Sequence, residues 1–486
     1  MDKTPGHFSS CTFMKTFLPK LPFRSAFAAT TLLLLPTGKS PAASDATAPG
    51  WRAGVATAKI TPQEPVWMAG YASRNHPSQG VVRELFAKAL ALEDERGGKL
   101  VIVTMDEHMV PRGLRDYVEK QTATRYGLKP EQLLVNASHT HCGPELRTEE
   151  IFYEESGKEV NAAAIRYRTW LEGRLADLVG EALSKEEPAR LEHSHARAGF
   201  AMNRRRPDPN GRISLSPYPA GPVDHEVPSL KVTGAQGELR AVLFGYACHN
   251  TTSGGDQYQI NGDYAGFAQE NLEATYRGAV ALFMAGCGGD QDPQPRGSIV
   301  PGQTELDLAR QHGRALANAV STALVAGLKP VRGPLSAGLG YADLPYQVLA
   351  RAEVEKRAQQ EKVQLVRSNM RRTLQQIDQG TVARSYPLPV QVVQFGQDLT
   401  LVAIGGEVVV DYALRLKREL AGPGRVWVAG YSNDGYAYIG NRRVIEEGGY
   451  EGYSANLRTH PGPWAPAAEE AIIAKVHEIR GRLSKP

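Results

Sequence analysis

The 486-residue sequence contains only four cysteines, too few and too widely spaced for a fold held together by disulfides. Cys11 lies near the N-terminus, and the other three are Cys142, Cys248 and Cys287. Each of these three lies in one of the polar or glycine-rich stretches described below. We therefore expect them to be small buried residues near a functional site, with one disulfide plus a free thiol as the alternative.

Long hydrophobic runs and strongly basic stripes are also absent. Beyond the N-terminal region no segment holds 18 consecutive apolar residues, so we expect a soluble mature chain with no transmembrane span. The net charge is only +4, and no run of lysine and arginine with interleaved aromatic residues occurs, which argues against nucleic-acid binding. The hydrophobic content of 42% and the charged content of 22% are typical of globular proteins.

The N-terminal 45 residues have the pattern of a signal peptide. Basic residues at Lys15, Lys20 and Arg24 precede an apolar segment from Ala26 to Leu35, and small residues at 42–44 offer a cleavage site. This pattern predicts export, to a periplasm or to the medium. The alternative is a poorly ordered N-terminal tail.

No compact metal-binding motif such as His-Glu-x-x-His occurs, but two histidines follow an apolar run. Residues 133–135 (Leu-Leu-Val) indicate a strand, and residues 136–144 read Asn-Ala-Ser-His-Thr-His-Cys-Gly-Pro. Alternate residues of an extended chain point the same way, so we expect His139 and His141 to share one face where the strand ends. Two imidazoles so placed suit zinc. The alternative is a polar loop whose histidines only cap a strand.

Hydrophobic periodicity predicts strands alternating with helices from about residue 46 to residue 486. The predicted strands are 51–61, 87–92, 100–105, 133–135, 192–198, 239–246, 279–284, 388–395, 399–404 and 426–429, and the predicted helices are 114–126, 162–183, 263–274, 306–325, 348–377, 408–420 and 465–483. The alternation indicates an α/β layered architecture, and the absence of repeats and clear linkers indicates one large domain over 46–486.

Three local predictions concern polar residues. Asp263 is a plausible N-cap of the helix that follows it. Arg205 and Arg206, which follow Arg204, are predicted to form a solvated surface turn before a loop rich in proline and glycine. The charged segment Val348 to Ile377 is predicted to be one long surface helix.

Polar or ionisable residues recur where predicted strands end, at Asp106, His139, His141, His249, Asp290, Asp292, Glu407 and Tyr438. Ligands of open α/β proteins bind at such strand ends. Zinc enzymes use three or four nitrogen and oxygen ligands and leave room for water or substrate, and His139, His249 and Glu407 would supply such a set. Each residue alone also fits a hydrogen-bonded strand end. Without further information these residues indicate an exported metal-dependent hydrolase.

The sequence resembles the catalytic domain of the neutral/alkaline (non-lysosomal) ceramidase family. The matching stretches, in the family's order, are residues 54–62, 68–71, 138–144, 203–204, 248–249, 262–266, 289–293, 406–407 and 433–438. The stretch Ser-His-Thr-His-Cys-Gly-Pro at 138–144 is the most specific of them. Together they span most of the predicted mature chain.

The resemblance implies two mixed β-sheets flanked by helices and one catalytic zinc ion. By position, the implied zinc ligands are His139, His249, Glu407 and Tyr438. Tyr438 would also touch the reacting oxygen. His141 and Arg204 would surround the substrate amide, polarise its carbonyl and stabilise the oxyanion. The implied reaction is hydrolysis of the amide bond of an N-acyl lipid.

The sequence departs from the family in two places. Ceramidases carry a serine close to the zinc where this chain has Asp292, a carboxylate that would act as general base or help to hold a second divalent cation. Ceramidases also continue into a C-terminal β-sandwich domain, whereas this sequence stops at Pro486.

These observations predict an exported zinc-dependent amide hydrolase of neutral ceramidase type, which cleaves an N-acyl (sphingo)lipid to a fatty acid and an amine. Asp292 or His141 would accept the proton. A lipid-like substrate also implies transient contact with a membrane surface. Two alternatives are a zinc hydrolase acting on a non-lipid amide or an ester, and a non-catalytic metal-containing binding protein on the same fold. A long apolar groove beside the metal would favour the lipid, and a small polar pocket the first alternative.

Overall fold

The structure, a computed structural model, describes residues 50–149, 158–297 and 301–484. The predicted signal peptide, residues 1–45, lies outside the described residues. Residues 48–486 form one compact unit. The helices are α1 (Arg112–Tyr126), α2 (Lys158–Ser184), α3 (Asp263–Thr275), α4 (Glu305–Ala323), α5 (Arg351–Gln360), α6 (Gln364–Asp378), α7 (Val410–Glu419), α8 (Arg442–Glu447) and α9 (Ala468–Leu483).

The larger sheet contains nine strands. They are β1 (Trp51–Lys59), β2 (Phe86–Asp94), β3 (Lys99–Met105), β4 (Leu133–Ala137), β5 (Glu187–Arg197), β9 (Glu226–Gly234), β10 (Leu239–Tyr246), β11 (Val280–Ala285) and β13 (Lys329–Val331). Their order is β11-β10-β9-β5-β1-β2-β3-β4, with β13 paired to β5. The pairs β3/β4 and β10/β11 are parallel and the others antiparallel, so the sheet is mixed.

The second sheet contains β14 (Leu335–Pro345), β15 (Ser385–Phe395), β16 (Leu399–Ile404) and β18 (Arg425–Ala429) in that order. Three short ladders complete the strands. They pair β6 (Ala201–Asn203) with β12 (Gln291–Pro293), β7 (Arg205–Pro207) with β8 (Ile213–Leu215), and β17 (Glu407–Val408) with β19 (Tyr438–Ile439).

The two sheets pack face to face, and helices cover their outer faces. Leu100 and Ile102 of β3 lie in one buried cluster with Leu401 of β16 and Trp427 of β18, and this cluster joins the sheets. The alternate β3 residues, such as Val103, pack against α1 and α2 on the other face. Similar clusters join β10 and β11 to α3 and α4, and the second sheet to α7 and α9. The predicted fold, two mixed sheets flanked by helices, is therefore confirmed.

Several elements differ from the sequence prediction, which also lacked the strand β9. The predicted helix over 348–377 is wrong as a single element, because Val363 is extended (φ −75°, ψ 113°) and separates α5 from α6. The break lets the two helices bury Val354, Val366 and Met370 together. The sequence analysis also missed β14, where a Cβ on Gly338 would lie 2.6 Å from Ile479 of α9. Close packing of α9 there requires glycine, which weakens the strand pattern.

Cys142, Cys248 and Cys287 are free and buried, which confirms the expectation of small buried side chains. Within the described part of the chain, no helix combines the length and apolar character needed to cross a bilayer.

Candidate metal and substrate site

The ends of three strands are held together by the side chain of Asn136 at the C-terminal end of β4. Its Nδ2 donates to Gly430 O at 2.8 Å and to Ser432 Oγ at 3.0 Å, and its Oδ1 accepts from Ala285 N at 2.8 Å. Gly430 follows β18 of the second sheet, and Ala285 ends β11 of the first. This buried amide therefore aligns both sheets at the edge where the candidate residues lie.

His139 and His141 reach one site, but not as alternate residues of an extended strand. Strand pairing stops at Ala137, and His139 has a positive φ of 61°. This conformation is uncommon for residues other than glycine and costs free energy unless the surroundings hold it. Here the imidazole stacks on His108 at 4.5 Å and lies against Tyr431 at 4.4 Å between ring centroids. The predicted geometry was wrong, although the predicted proximity was right.

Four side chains converge on one point. His139 Nε2 lies 3.1 Å from Glu407 Oε2, and His249 Nε2 lies 3.2 Å from the same oxygen. His249 Nε2 is also 3.1 Å from the hydroxyl of Tyr438. Glu407 and Tyr438 are direct partners in the β17/β19 ladder, which explains how residues far apart in sequence meet. The set is the one that the resemblance implies.

The hydrogen bonds of the two imidazoles turn their free nitrogens toward this point. His139 Nδ1 lies 2.7 Å from His108 O, and His249 Nδ1 lies 2.7 Å from Gly288 O. A carbonyl only accepts, so Nδ1 carries the hydrogen and Nε2 of the neutral ring presents a lone pair. Burial, reinforced by the charge of Arg204, lowers the pKa of His249 to about 4, so this ring is neutral at pH 7.

This arrangement fits a zinc ion. Glu407 Oε2 is buried and forms no hydrogen bond of good geometry, although two ring nitrogens lie beside it. Ligands about 2.0 Å from a tetrahedral ion lie about 3.3 Å from one another, close to the observed separations. Lone pairs and a carboxylate that converge without hydrogens between them are what a cation requires.

His141 lies beside this cluster. Its Nε2 is 3.2 Å from His139 Nε2, and its buried Nδ1 has no hydrogen-bond partner among the described residues. Burial, with a contribution from His108, lowers the pKa of His141 well below its ordinary value. The ring lies so close to the backbone of Gly70 (φ +93°) that a Cβ there would be 2.3 Å from Nδ1. The motif at 68–71 therefore leaves the space that His141 occupies.

Arg204 is buried beside Tyr438 and donates to four groups. Its Nη2 donates to the Tyr438 hydroxyl at 3.1 Å and to Gly289 O at 2.9 Å. Its Nε donates to Glu451 Oε1 at 2.8 Å, and its Nη1 to Asp292 Oδ1 at 3.1 Å. The guanidinium is thus fixed at the site, where its charge can stabilise an oxyanion.

Arg205 corrects one prediction. It is buried rather than solvated, with Nη1 2.7 Å from Glu451 Oε2 and Nη2 3.1 Å from Glu447 Oε2. Arg206 is exposed, as predicted. Glu451 therefore binds two buried arginines at once, and the sequence analysis missed it because no strand or motif precedes it.

Both oxygens of Asp292 are bound by arginines. Oδ1 accepts from Arg204, and Oδ2 accepts from Arg296 Nη1 at 2.7 Å. Burial opposes the ionisation of Asp292, yet the two guanidinium groups hold its pKa at about 2. Since the two cations already occupy the carboxylate, it is poorly placed to bind a second divalent cation.

The remaining acidic residues from the sequence analysis have structural contacts. Asp290 is buried and accepts from Val410 N at 2.9 Å. Asp106 forms an ion pair with Arg83 at 3.2 Å. Asp263 is not the N-cap of α3: it is the first helical residue, with φ 47°, and Gly262 is the N-cap. Its carboxylate instead accepts from Thr252 N at 3.1 Å and Ser253 N at 2.9 Å, which holds the loop after His249.

A cavity of about 760 Å³ opens beside the converging side chains. Its wall includes His108, which the sequence analysis did not select although it follows the strand end at Asp106. The aromatic and apolar part of the wall is formed by Trp67, Tyr71, Met109, Leu365, Tyr436 and Tyr450. Arginine and lysine side chains line it as well, so the cavity is mixed rather than a purely apolar groove.

Known proteins resemble this chain over most of its length. The profile of the family described as "Neutral/alkaline non-lysosomal ceramidase, N-terminal" matches residues 51–308, more than half of the chain. A neutral ceramidase of Mycobacterium tuberculosis is 22% identical over 85% of this chain and 74% of its own length. A neutral ceramidase of Pseudomonas aeruginosa is 24% identical over 89% of this chain and 72% of its own.

The fold comparison agrees with the sequence comparison. The crystal structure of neutral ceramidase from Pseudomonas aeruginosa superimposes with a TM-score of 0.70 at 21% identity, and the match covers 89% of this chain and 74% of that one. At this identity the structural match supports the fold alone, but the profile match spans the residues from β1 into α4. The chain therefore belongs to the neutral/alkaline non-lysosomal ceramidase family.

Proposed function

We propose that this protein is an exported zinc-dependent amide hydrolase that cleaves an N-acyl lipid of the ceramide type to a fatty acid and an amine. The observation that carries the proposal is the convergence of His139 Nε2, His249 Nε2 and Glu407 Oε2 beside Tyr438 and Arg204. Family membership supports the reaction class. The N-terminal pattern at 1–45 supports export.

The residues of the site have different roles in the proposed amide hydrolysis. Zinc held by His139, His249, Glu407 and Tyr438 would supply a Lewis acid that polarises a carbonyl and makes water more acidic. Arg204, fixed against the Tyr438 hydroxyl, stabilises negative charge on the carbonyl oxygen.

His141 is the better placed of the two candidate proton acceptors. It is buried beside His139, and among the described residues its Nδ1 has no hydrogen-bond partner, so a ring nitrogen is free to accept a proton. Asp292, by contrast, has a pKa of about 2, and both of its carboxylate oxygens accept hydrogen bonds from arginines. A carboxylate so stabilised is a weak base, so we assign Asp292 the role of positioning Arg204 and Arg296.

The proposal is tested by fatty-acid release from a fluorescent short-chain ceramide. We expect release by the full-length protein supplied with zinc, loss of release on chelation, and recovery when zinc is restored. His139→Ala should be inactive while its circular dichroism matches that of the wild type. Release that survives both chelation and His139→Ala would refute the metal-dependent reaction. If zinc binds stoichiometrically but no ceramide is cleaved, the substrate is a different N-acyl compound or an ester.

The role of Asp292 makes a second prediction, on pH dependence. Asp292→Asn should lower kcat/KM about 10- to 100-fold by loosening Arg204, as is usual when a supporting hydrogen bond is lost. The shape of the profile from pH 4 to 9 should not change. A group with a folded pKa of about 2 is ionised throughout that range and adds no acidic limb. Loss of an acidic limb in the variant would instead identify Asp292 as the base.

A further inference from the structure

Two cationic side chains on the wall of the cavity have no acidic partner among the residues that the structure describes. Arg458 and Lys362 both line the cavity that contains Glu407 and Tyr438. Among the described residues, no carboxylate forms an ion pair with either of them. Arg458 is half-buried, and Lys362 is exposed. A half-buried guanidinium without a counter-charge beside a catalytic centre is a candidate ligand-binding group.

The other two arginines of the wall, Arg74 and Arg147, already have hydrogen-bond or ion-pair partners. Arg74 donates to three backbone carbonyls, those of Ala69, His141 and Gln257. Arg147 is paired with Glu145. Within the described part of the chain, Arg458 and Lys362 are therefore the cavity cations without a carboxylate or carbonyl partner.

Arg458 is held close to the proposed reaction centre. Its Nη1 donates to the Tyr450 hydroxyl at 3.0 Å, and its Cζ lies 5.3 Å from the centre of the Tyr450 ring. The Tyr450 ring packs edge-on against Tyr438, with 5.3 Å between centroids. One tyrosine ring thus separates Arg458 from Tyr438. Because a guanidinium has five N–H donors and one is used by Tyr450, several remain for a ligand.

Lys362 is brought to the same wall by the break between α5 and α6. The short 3₁₀ helix Asn456–Arg458 packs beside α6, where Asn369 Nδ2 donates to Leu457 O at 3.0 Å. The interruption of the predicted long helix therefore has a consequence for the cavity, since it places a lysine on the wall that Arg458 also lines.

We propose that Arg458, assisted by Lys362, binds a carboxylate on the amine side of the substrate, next to the scissile amide, so that the enzyme prefers N-acyl amino acids to neutral N-acyl amines. This inference rests on the proposed amide hydrolysis, and it makes ceramide a slower substrate than an N-acyl amino acid on the same site. An α-carboxylate lies two bonds from the amide nitrogen, and planar bidentate binding of carboxylates is characteristic of arginine. Aromatic and apolar residues of the same cavity remain for the acyl chain.

Two substrates that differ only in charge test the inference: N-dodecanoylglycine and N-dodecanoylglycinamide. With full-length, zinc-loaded protein we expect kcat/KM about 10- to 100-fold higher for the carboxylate, the effect of one charge-assisted pair. Arg458→Gln should remove this preference by slowing only the carboxylate substrate. Arg371→Gln, on the exposed side of α6, is the matched control and should keep the preference. Equal rates in the wild type, or a preference that persists in Arg458→Gln, would overturn the inference.

Binding separates failure of this inference from failure of the proposed function. If neither these amides nor ceramide is cleaved, the proposed function fails, and calorimetric titration of both ligands still decides the anion site. The anion site is supported if N-dodecanoylglycine binds at least about tenfold tighter than N-dodecanoylglycinamide. This difference in affinity should be lost in Arg458→Gln but not in Arg371→Gln. A carboxylate preference that Arg458→Gln leaves intact would show that another group binds the anion.

Discussion

Replacing His249 with alanine is expected to remove both the bound zinc and the hydrolytic activity. His249 lies within 3.2 Å of Glu407 Oε2 and 3.1 Å of the Tyr438 hydroxyl, so it borders two of the other three proposed ligands. Loss of one ligand from a four-ligand site weakens zinc binding. Without the zinc ion, the buried carboxylate of Glu407 and the ring of His139 no longer share a cation. We expect kcat/KM to fall at least about 10³-fold, since a Lewis acid supplies several kcal/mol of transition-state stabilisation.

The measurement is zinc content by atomic emission, followed on the same samples by the amidase assay. His477→Ala is a suitable control, because that imidazole is exposed on α9 and contacts only Glu419 among its described hydrogen-bond partners. The control should keep full zinc and activity. Stoichiometric zinc in His249→Ala would exclude His249 from the ligand set.

The second large effect is expected on stability. Glu451 is completely buried and binds Arg204 at 2.8 Å and Arg205 at 2.7 Å, one with each carboxylate oxygen. Glu451→Gln removes the negative charge but keeps the side-chain volume, and so leaves two buried guanidinium groups without their common counter-ion. Removing one partner of a buried ion pair costs about 3–5 kcal/mol, and we expect a loss of that size.

Urea unfolding of Glu451→Gln and Glu447→Gln measures this effect. Glu447 also pairs with Arg205, at 3.1 Å, but its side chain is 31% exposed, so the control should lose about 1 kcal/mol or less. Similar losses in the two variants would contradict the assigned importance of burial. Because Glu451 also orients Arg204, kcat/KM should fall in Glu451→Gln and remain unchanged in Glu447→Gln.

Strands with continuous apolar runs were predictable from the sequence alone. The predicted limits of β10 and β16, Leu239–Tyr246 and Leu399–Ile404, are those of the structure, because strands buried on both faces carry a nearly continuous hydrophobic signal. The hydrophobic pattern did not predict β14, because α9 packs against Gly338, which has no side chain to contribute to the pattern. It also failed at Val363, since a helical period cannot reveal where the chain reverses.

The candidate site was predictable as a set of residue types but not as a geometry. Sequence position identified the strand ends at His139, His249 and Glu407, and the family resemblance added Tyr438. Arg205 was misjudged because its partner, Glu451, lies 246 positions away and local composition cannot report such a contact. The positive φ of His139 was equally unpredictable, since it depends on the stacking of His108 and Tyr431.

The hydrogen bonds of Asn136 have a consequence for how the protein would acquire the proposed metal ion. Asn136 and Gly430 are 294 positions apart, and their hydrogen bond aligns the two sheets on which the proposed ligands depend. Contacts of such sequence separation form late, because loop-closure entropy opposes them until much of the chain has folded. A nascent or unfolded chain therefore has no preformed site to load. If the proposed function holds, the ion is captured only where folding is completed, and the compartment in which the sheets dock would then determine which metal the protein binds.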